Sequence, residues 1–169
     1  IVASLVGSEM CIRDSNVYVT HHHPDHIGLA GWLSEKYNAE IICSRTTYLM
    51  AKMLSLDVHE KVSSSTERFW RQAGMSKEML AGKLKARPFN FGDGVSPLDR
   101  GFKRISEKEI ININGVDWVV RMGNGHAPEH ATFWSQELNL VLAGDQVLPG
   151  ISSNLGVYPT EPNADTVGD

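Results

Sequence analysis

The sequence predicts an α/β protein in which helices lie outside a layered sheet. Near its start, a short apolar run, a helical pattern and a second apolar run alternate, which is typical of strands joined by a helix. Later the hydrophobic period changes to two, and an Asn-Gly pair separates two alternating segments. That pattern indicates an antiparallel hairpin. The chain therefore reads as sheet, helical stretch, sheet.

The first part begins with "NVYVT" at residues 16–20, a run rich in β-forming residues. In "HIGLAGWLSEKYN", at residues 26–38, apolar side chains recur at helical spacing, so one helix is expected there. "AEIICS", at residues 39–44, is a continuous apolar run of the length of a buried strand.

Residues 45 to about 87 are expected to be helical. The segment Ser64-Ser65-Thr66-Glu67 has the spacing of a capping box, which predicts that a helix begins there. Gly74 is a suitable stop for that helix. A third helix should end before Pro88 because the residue preceding a proline disfavours helical geometry. A loop rich in Gly, Pro and Asp follows.

Three strand segments follow the loop. The first, "EIININGVDWVVRM", should form a hairpin around Asn114-Gly115. "ATFWS" at residues 131–135 is the next strand, and "LVLAG" at residues 140–144 is expected to be a buried strand that ends at Asp145. Ligand-type side chains thus follow strands in both sheet parts.

The stretch "VTHHHPDHIG" concentrates side chains that bind metals. His21 and His23 lie two residues apart at a strand end, where alternate side chains point the same way. Asp25 and His26 continue into the next helix. One ion cannot easily take all four, but two adjacent ions can share them. Neutral imidazoles and a carboxylate suit Zn²⁺, with iron or manganese as alternatives. A coincidental polar surface run is the competing interpretation.

These residues resemble a known signature. "THHHPDHIG" is similar to the H-x-H-x-D-H motif of the metallo-β-lactamase superfamily, and the Asp25-His26 pair fixes the alignment so that His22 is not a ligand. "GNGHAPEH" supplies the glycine-preceded His126 of that family, and "VLAGDQVL" supplies its Asp145. The resemblance implies the αβ/βα metallo-β-lactamase sandwich for residues 16–169, with a helical insertion at about residues 45–100.

The resemblance also implies a role for each matching residue. The first metal would be held by His21, His23 and His126. The second would be held by Asp25 and His26, with Asp145 bridging both ions. The implied cofactor is therefore a pair of Zn²⁺ ions in the complete protein.

The chain departs from the family pattern in places. The family's last ligand is a His well downstream of the bridging Asp, and no His follows His130 here. We therefore expect the domain to be cut at its C-terminal end. Ala127 and Glu129 stand where relatives often have Thr and Gly, which leaves the loop's hydrogen bonding and the substrate class open. His130 itself is either part of the site or a locally satisfied histidine.

The first fifteen residues do not read as native protein. The codons CTC GTG GGC TCG GAG ATG TGT ATA AGA GAC translate without a mismatch into LVGSEMCIRD, the sequence of residues 5–14. This nucleotide string resembles the transposase adapter of short-read libraries. We expect Ile1–Ser15 to be translated adapter, a disordered natural N-terminus being the alternative. The segment from Asn16 onwards is then a domain incomplete at both ends, and inactive by itself.

The implied activity is hydrolysis of an ester, thioester or lactone by a metal-activated water, with Asp25 as the catalytic carboxylate that orients the nucleophile and moves its proton. Two alternatives on the same fold are a mononuclear iron oxidoreductase similar to sulfur dioxygenases and a nucleic-acid-processing hydrolase. The net charge of −4 argues against nucleic acid, so a small-molecule substrate is expected.

Composition excludes other classes. No stretch approaches the roughly 18 apolar residues of a membrane span, so no membrane partner is expected. The native N-terminus is expected to be missing, which hides any targeting signal and leaves the cytoplasm as the default compartment. The sequence does not indicate an oligomeric state.

Overall fold

The computed structural model describes residues 15–168 and contains two sheets. A three-stranded parallel sheet has the order β1-β2-β3, and a four-stranded antiparallel sheet has the order β4-β5-β6-β7. The elements in chain order are β1 (Asn16–Tyr18), α1 (Pro24–Ile27), α2 (Ala30–Tyr37), β2 (Glu40–Cys43), α3 (Arg45–Leu56), α4 (Ser64–Gln72), α5 (Lys77–Lys85), β3 (Lys103–Arg104), β4 (Ile110–Ile113), β5 (Val116–Gly123), β6 (His130–Ser135) and β7 (Leu140–Leu142). The predicted α/β class is confirmed.

The adapter-like segment falls almost wholly outside this range. Only Ser15 is described, and its carbonyl accepts a hydrogen bond from the Glu40 N–H at 3.1 Å. Among the helices of residues 15–168, none is long and apolar enough to cross a membrane.

The helix expected over residues 26–38 is interrupted, so that prediction was wrong in one respect. It starts earlier, at Pro24, because proline is favoured in the first turn of a helix, where its missing N–H costs nothing. The break comes from Ser96. Its N–H and its hydroxyl both donate to the Gly28 carbonyl at 2.7 Å, while its hydroxyl oxygen accepts from the Trp32 N–H at 3.1 Å. Ser96 thus occupies the place of one helical hydrogen bond.

The start of α4 lies one residue earlier than the capping-box spacing predicts. Ser63 is the N-cap, with extended backbone, and its hydroxyl accepts from the Thr66 N–H at 3.1 Å. The carboxylate of Glu67 instead pairs with Arg71 one turn later. The predicted stop at Gly74 is confirmed, since its φ of +81° is the left-handed geometry that ends a helix.

The Asn-Gly hairpin is confirmed. Asn114 and Gly115 both have positive φ, at 51° and 85°, as a two-residue type I′ turn requires. The turn sets the register in which Ile113 faces Val116 and Ile110 faces Val119.

The last strand differs from its prediction. The sequence predicts a buried strand, yet Leu140 and Val141 of β7 are 47% and 36% exposed. These residues are exposed because β7 is an edge strand, which pairs only with β6 among the described strands. Apolar alternation alone cannot distinguish an edge strand from a central one.

Two separate hydrophobic clusters pack against the sheets. One packs α2 and α3 against the parallel sheet, and the other lies on the antiparallel sheet, with Ile42 of β2 as a member. The Ala131 N–H donates to the Thr20 carbonyl at 2.8 Å, which joins the two sheets directly beside His21. The sheet junction thus brings the two ligand-bearing regions of the chain together.

Replacing Gly31 by alanine is expected to lower the free energy of unfolding by about 2–3 kcal/mol. A Cβ there would overlap the Pro97 carbonyl, with its carbon at 2.7 Å, so α2 would have to move away from that segment. Gly82→Ala is the matched control. Gly82 lies inside α5 with nothing near its missing Cβ, and alanine should stabilise the helix by about 1 kcal/mol. Urea unfolding of both variants measures this, and a neutral Gly31→Ala would contradict the packing.

Candidate metal centre

Four chain segments supply the side chains of the site. His21 and His23 follow β1, His26 lies in α1, His126 lies in the loop between β5 and β6, and Asp145 follows β7. All but His26 follow strands, and α1 begins directly after the residues that follow β1, so the two sheets position the backbone that carries these side chains.

His21, His23 and His126 converge, and we call them the three-histidine group. The Nε2 atom of His126 lies 3.2 Å from Nε2 of His21 and 2.9 Å from Nδ1 of His23. His21 and His126 are buried, and His23 is half-buried. Three ring nitrogens therefore face one point.

The outer hydrogen bonds decide which ring nitrogens are available. Nδ1 of His126 lies 2.9 Å from the Asn154 carbonyl, which can only accept, so this nitrogen carries the proton. Nε2 of the neutral ring then presents a lone pair to the group. Nδ1 of His21 lies 3.1 Å from Thr20 Oγ1, a hydroxyl that can donate or accept, so this contact orients the ring without fixing which nitrogen carries the proton. Three imidazole nitrogens that converge on one point are a typical donor set for a metal ion, so the residues present fit one.

A second group adjoins the first and consists of His21, His26 and Asp145. Oδ2 of Asp145 lies 3.2 Å from Nε2 of His26 and 3.6 Å from Nε2 of His126. Asp145 therefore belongs to the second group and also approaches His126 of the first, as a bridging carboxylate would.

Asp25 is the one predicted ligand that the structure does not place in either group. Its side chain is 74% exposed, and Oδ2 lies 3.6 Å from Nε2 of His26. It stands at the open rim of the site beside the second group. His22, which the motif alignment sets aside, is buried and likewise lies outside both groups.

The sequence profile described as "Metallo-beta-lactamase superfamily" matches residues 15–166, nearly the whole chain. The chain belongs to the metallo-β-lactamase superfamily. No protein among those with curated descriptions matches it.

Two solved structures are similar to this superfamily member. A beta-lactamase domain protein from Burkholderia ambifaria is 28% identical with a TM-score of 0.73, over 88% of this chain and 41% of that protein. A metallo-beta-lactamase family protein from Thermus thermophilus is 25% identical with a TM-score of 0.66, over 85% and 44%. The chain thus spans less than half the length of either protein.

His130 is a member of this site that sequence reasoning left open. Its ring stacks on His21, with centroids 4.4 Å apart and 20° between the planes, and Nε2 accepts from the Asp145 N–H at 3.3 Å. It therefore supports one residue of each group. Gly144 permits this approach, since it has φ +52° and a Cβ there would lie 2.8 Å from His130 Cε1. In the sequence of a superfamily member, the signal that points to His130 is a second histidine after His126, at the start of the next strand.

Burial favours the neutral form of three histidines in and beside the site, His21, His22 and His130. Burial first, and neighbouring imidazoles second, lower the pKa of His22 and of His130 from the ordinary value of 6.5 to about 4. The pKa of His21 is lowered still more, by burial first and then by the surrounding histidines. Neutral rings are the form that binds a metal ion.

The free energy of unfolding of the chelator-treated chain is expected to fall as the pH drops from 6.5 towards about 4. The folded-state pKa lies below the unfolded value, so protons bind the unfolded chain preferentially. The contribution of these histidines to the free energy of unfolding is therefore fully present above pH 6.5. It is lost as the pH falls below that value, by about a few kcal/mol. Urea unfolding across this range measures the loss. His130→Phe removes one such group and should flatten the dependence; an unchanged slope would contradict this origin.

Proposed function

We propose that this chain carries the metal-binding residues of a hydrolase that cleaves an ester, thioester or lactone bond of a small molecule. The observation that carries the proposal is the convergence of three ring nitrogens on one point, with the proton of His126 directed away from that point to the Asn154 carbonyl. Superfamily membership supports metal-dependent hydrolysis as the general chemistry.

The three-histidine group would hold the first metal ion. The second metal ion would be bound by His26, Asp145 and Asp25. A bound Zn²⁺ ion lowers the pKa of its water towards about 7 and polarises a substrate carbonyl. Asn154 and Thr20 keep the ring nitrogens of His126 and His21 oriented for this task. Asp145 keeps the two groups together.

Asp25 is proposed to orient the attacking water and to accept its proton at a carboxylate oxygen. Its side chain is exposed and stands beside His26, so it is accessible to a small molecule at the site. The ring of Tyr158 lies 6.2 Å from that of His23 and is half-exposed, so it forms part of the same rim. These residues leave one side of the site open to a small molecule.

The test uses the longest natural protein that contains residues 16–169. Metal analysis of the purified protein should find zinc, and esters, thioesters and lactones should be assayed beside a β-lactam. We expect hydrolysis of at least one of the first three, lost with a chelator and restored by zinc. Bound iron with oxygen consumption and no hydrolysis would replace the proposal with an oxidoreductase. Salt-sensitive binding and cleavage of nucleic acid would replace its substrate class.

A further inference from the structure

Glu129 makes a contact between two distant parts of the chain. It lies in the loop between β5 and β6, just before His130, and its Oε2 accepts a hydrogen bond from the Thr46 N–H at 2.9 Å. Thr46 is in the first turn of α3, where backbone N–H groups have no partner within the helix. The hydroxyl of Ser44 takes the neighbouring Thr47 N–H at 3.1 Å. The start of α3 is thus capped by one local and one distant side chain.

The backbone of Glu129 is unusual for its residue type. Its φ of 48° is in the left-handed region, which glycine adopts freely and other residues adopt at a cost. Its N–H donates to Asn124 Oδ1 at 3.0 Å, which closes the loop upon itself. A strained residue persists where surrounding contacts hold it, and here its side chain supplies one of them.

The Glu129–Thr46 contact links the two regions that bring the histidines together. α3 follows β2 directly, and β2 pairs with β1, which leads to His21. On the other side of the contact, the loop carries His126 and ends at His130. The hydrogen bond from Thr46 also lowers the pKa of Glu129, and Arg104 and Arg45 add to the effect, so the carboxylate is charged at neutral pH.

We propose that Glu129 is a positioning residue whose carboxylate fastens the His126 loop to the start of α3, so that the metal affinity of the three-histidine group depends on it. The inference rests on the proposed metal-binding function. Outer residues that orient metal ligands typically contribute about 10-fold to 100-fold in affinity, and the loss of this contact should fall in that range.

Three substitutions in the full chain separate the side-chain contact from the backbone strain. Glu129→Ala removes the acceptor and keeps the strain. Glu129→Gly removes both. Glu129→Gln keeps an oxygen acceptor without the charge. Glu137→Ala is the matched control, since Glu137 is an exposed carboxylate in the turn between β6 and β7. Zinc affinity is measured by competition with a chromophoric chelator, and exchange of the Thr46 amide hydrogen is measured by NMR in the zinc-free chain.

We expect Glu129→Ala and Glu129→Gly to bind zinc at least about 10-fold more weakly than wild type, with a faster-exchanging Thr46 amide. Glu129→Gln should recover most of both properties, and Glu137→Ala should match wild type. Unchanged zinc affinity in the Ala and Gly variants would overturn the inference, including the case in which only thermal stability falls. If wild type binds no zinc, the proposed function fails, while amide exchange still reports whether the contact exists.

Discussion

Replacing His126 by alanine is expected to remove zinc from the three-histidine group and to abolish hydrolysis. The Nε2 atom of His126 lies within 3.2 Å of a ring nitrogen of each of the other two histidines, so it is the nitrogen that joins the group. Its loss leaves two imidazoles, whereas catalytic zinc sites use three protein ligands. The affinity should fall by more than about 100-fold, because residues that only orient ligands already contribute about 10-fold to 100-fold.

The measurement pairs zinc content per chain with hydrolysis by the longest natural protein that contains this segment. His59→Ala is the matched control, because His59 is an exposed histidine that pairs with Asp57. A His126→Ala variant that keeps both zinc and activity would show that His126 is not a ligand. A variant that keeps zinc but loses activity would assign His126 to the reaction instead of to the metal.

The convergence of the histidines and Asp145 could be predicted because their sequence signals are local. His21 to His26 lie in one short stretch after a strand, and His126 and Asp145 each follow a strand-like run next to glycine. The ends of strands in a layered sheet lie at common edges, so residues that follow them come together without knowledge of the distant contacts. The hairpin was predictable for the same reason, since its turn is fixed by two adjacent residues.

The features that escaped prediction depend on contacts across the chain. The break between α1 and α2 is made by Ser96, and the orientation of His126 depends on the backbone carbonyl of Asn154. A backbone carbonyl has no residue-specific signature in a sequence. The Glu129 carboxylate similarly finds its partner in the Thr46 N–H, which any residue other than proline would offer.

The motif does not predict the exposed position of the Asp25 side chain. The motif places it among the ligands, whereas the structure leaves its side chain 74% exposed, beside His26. An exposed carboxylate is free to exchange protons with water and substrate. A role in the reaction itself is therefore compatible with this geometry, and it can be separated experimentally from a role in holding the first metal.

Asp25→Asn is accordingly expected to leave zinc bound to the three-histidine group while turnover falls by about 100-fold to 10,000-fold, the usual contribution of a general acid or base. Asparagine preserves the shape of the side chain but cannot accept a proton. The loss should appear in kcat, with KM little changed, because an interaction specific to the transition state is removed. Asp57→Asn, at another exposed carboxylate beside a histidine, is the control. If Asp25→Asn instead lost the first zinc ion together with activity, the carboxylate would be needed for metal binding by the three-histidine group, and the assignment of Asp25 to the reaction alone would be wrong. If the Asp25→Asn variant kept full turnover, the proton would have to be accepted by another group. Asp145, whose carboxylate approaches both His26 and His126, would be the next carboxylate to test.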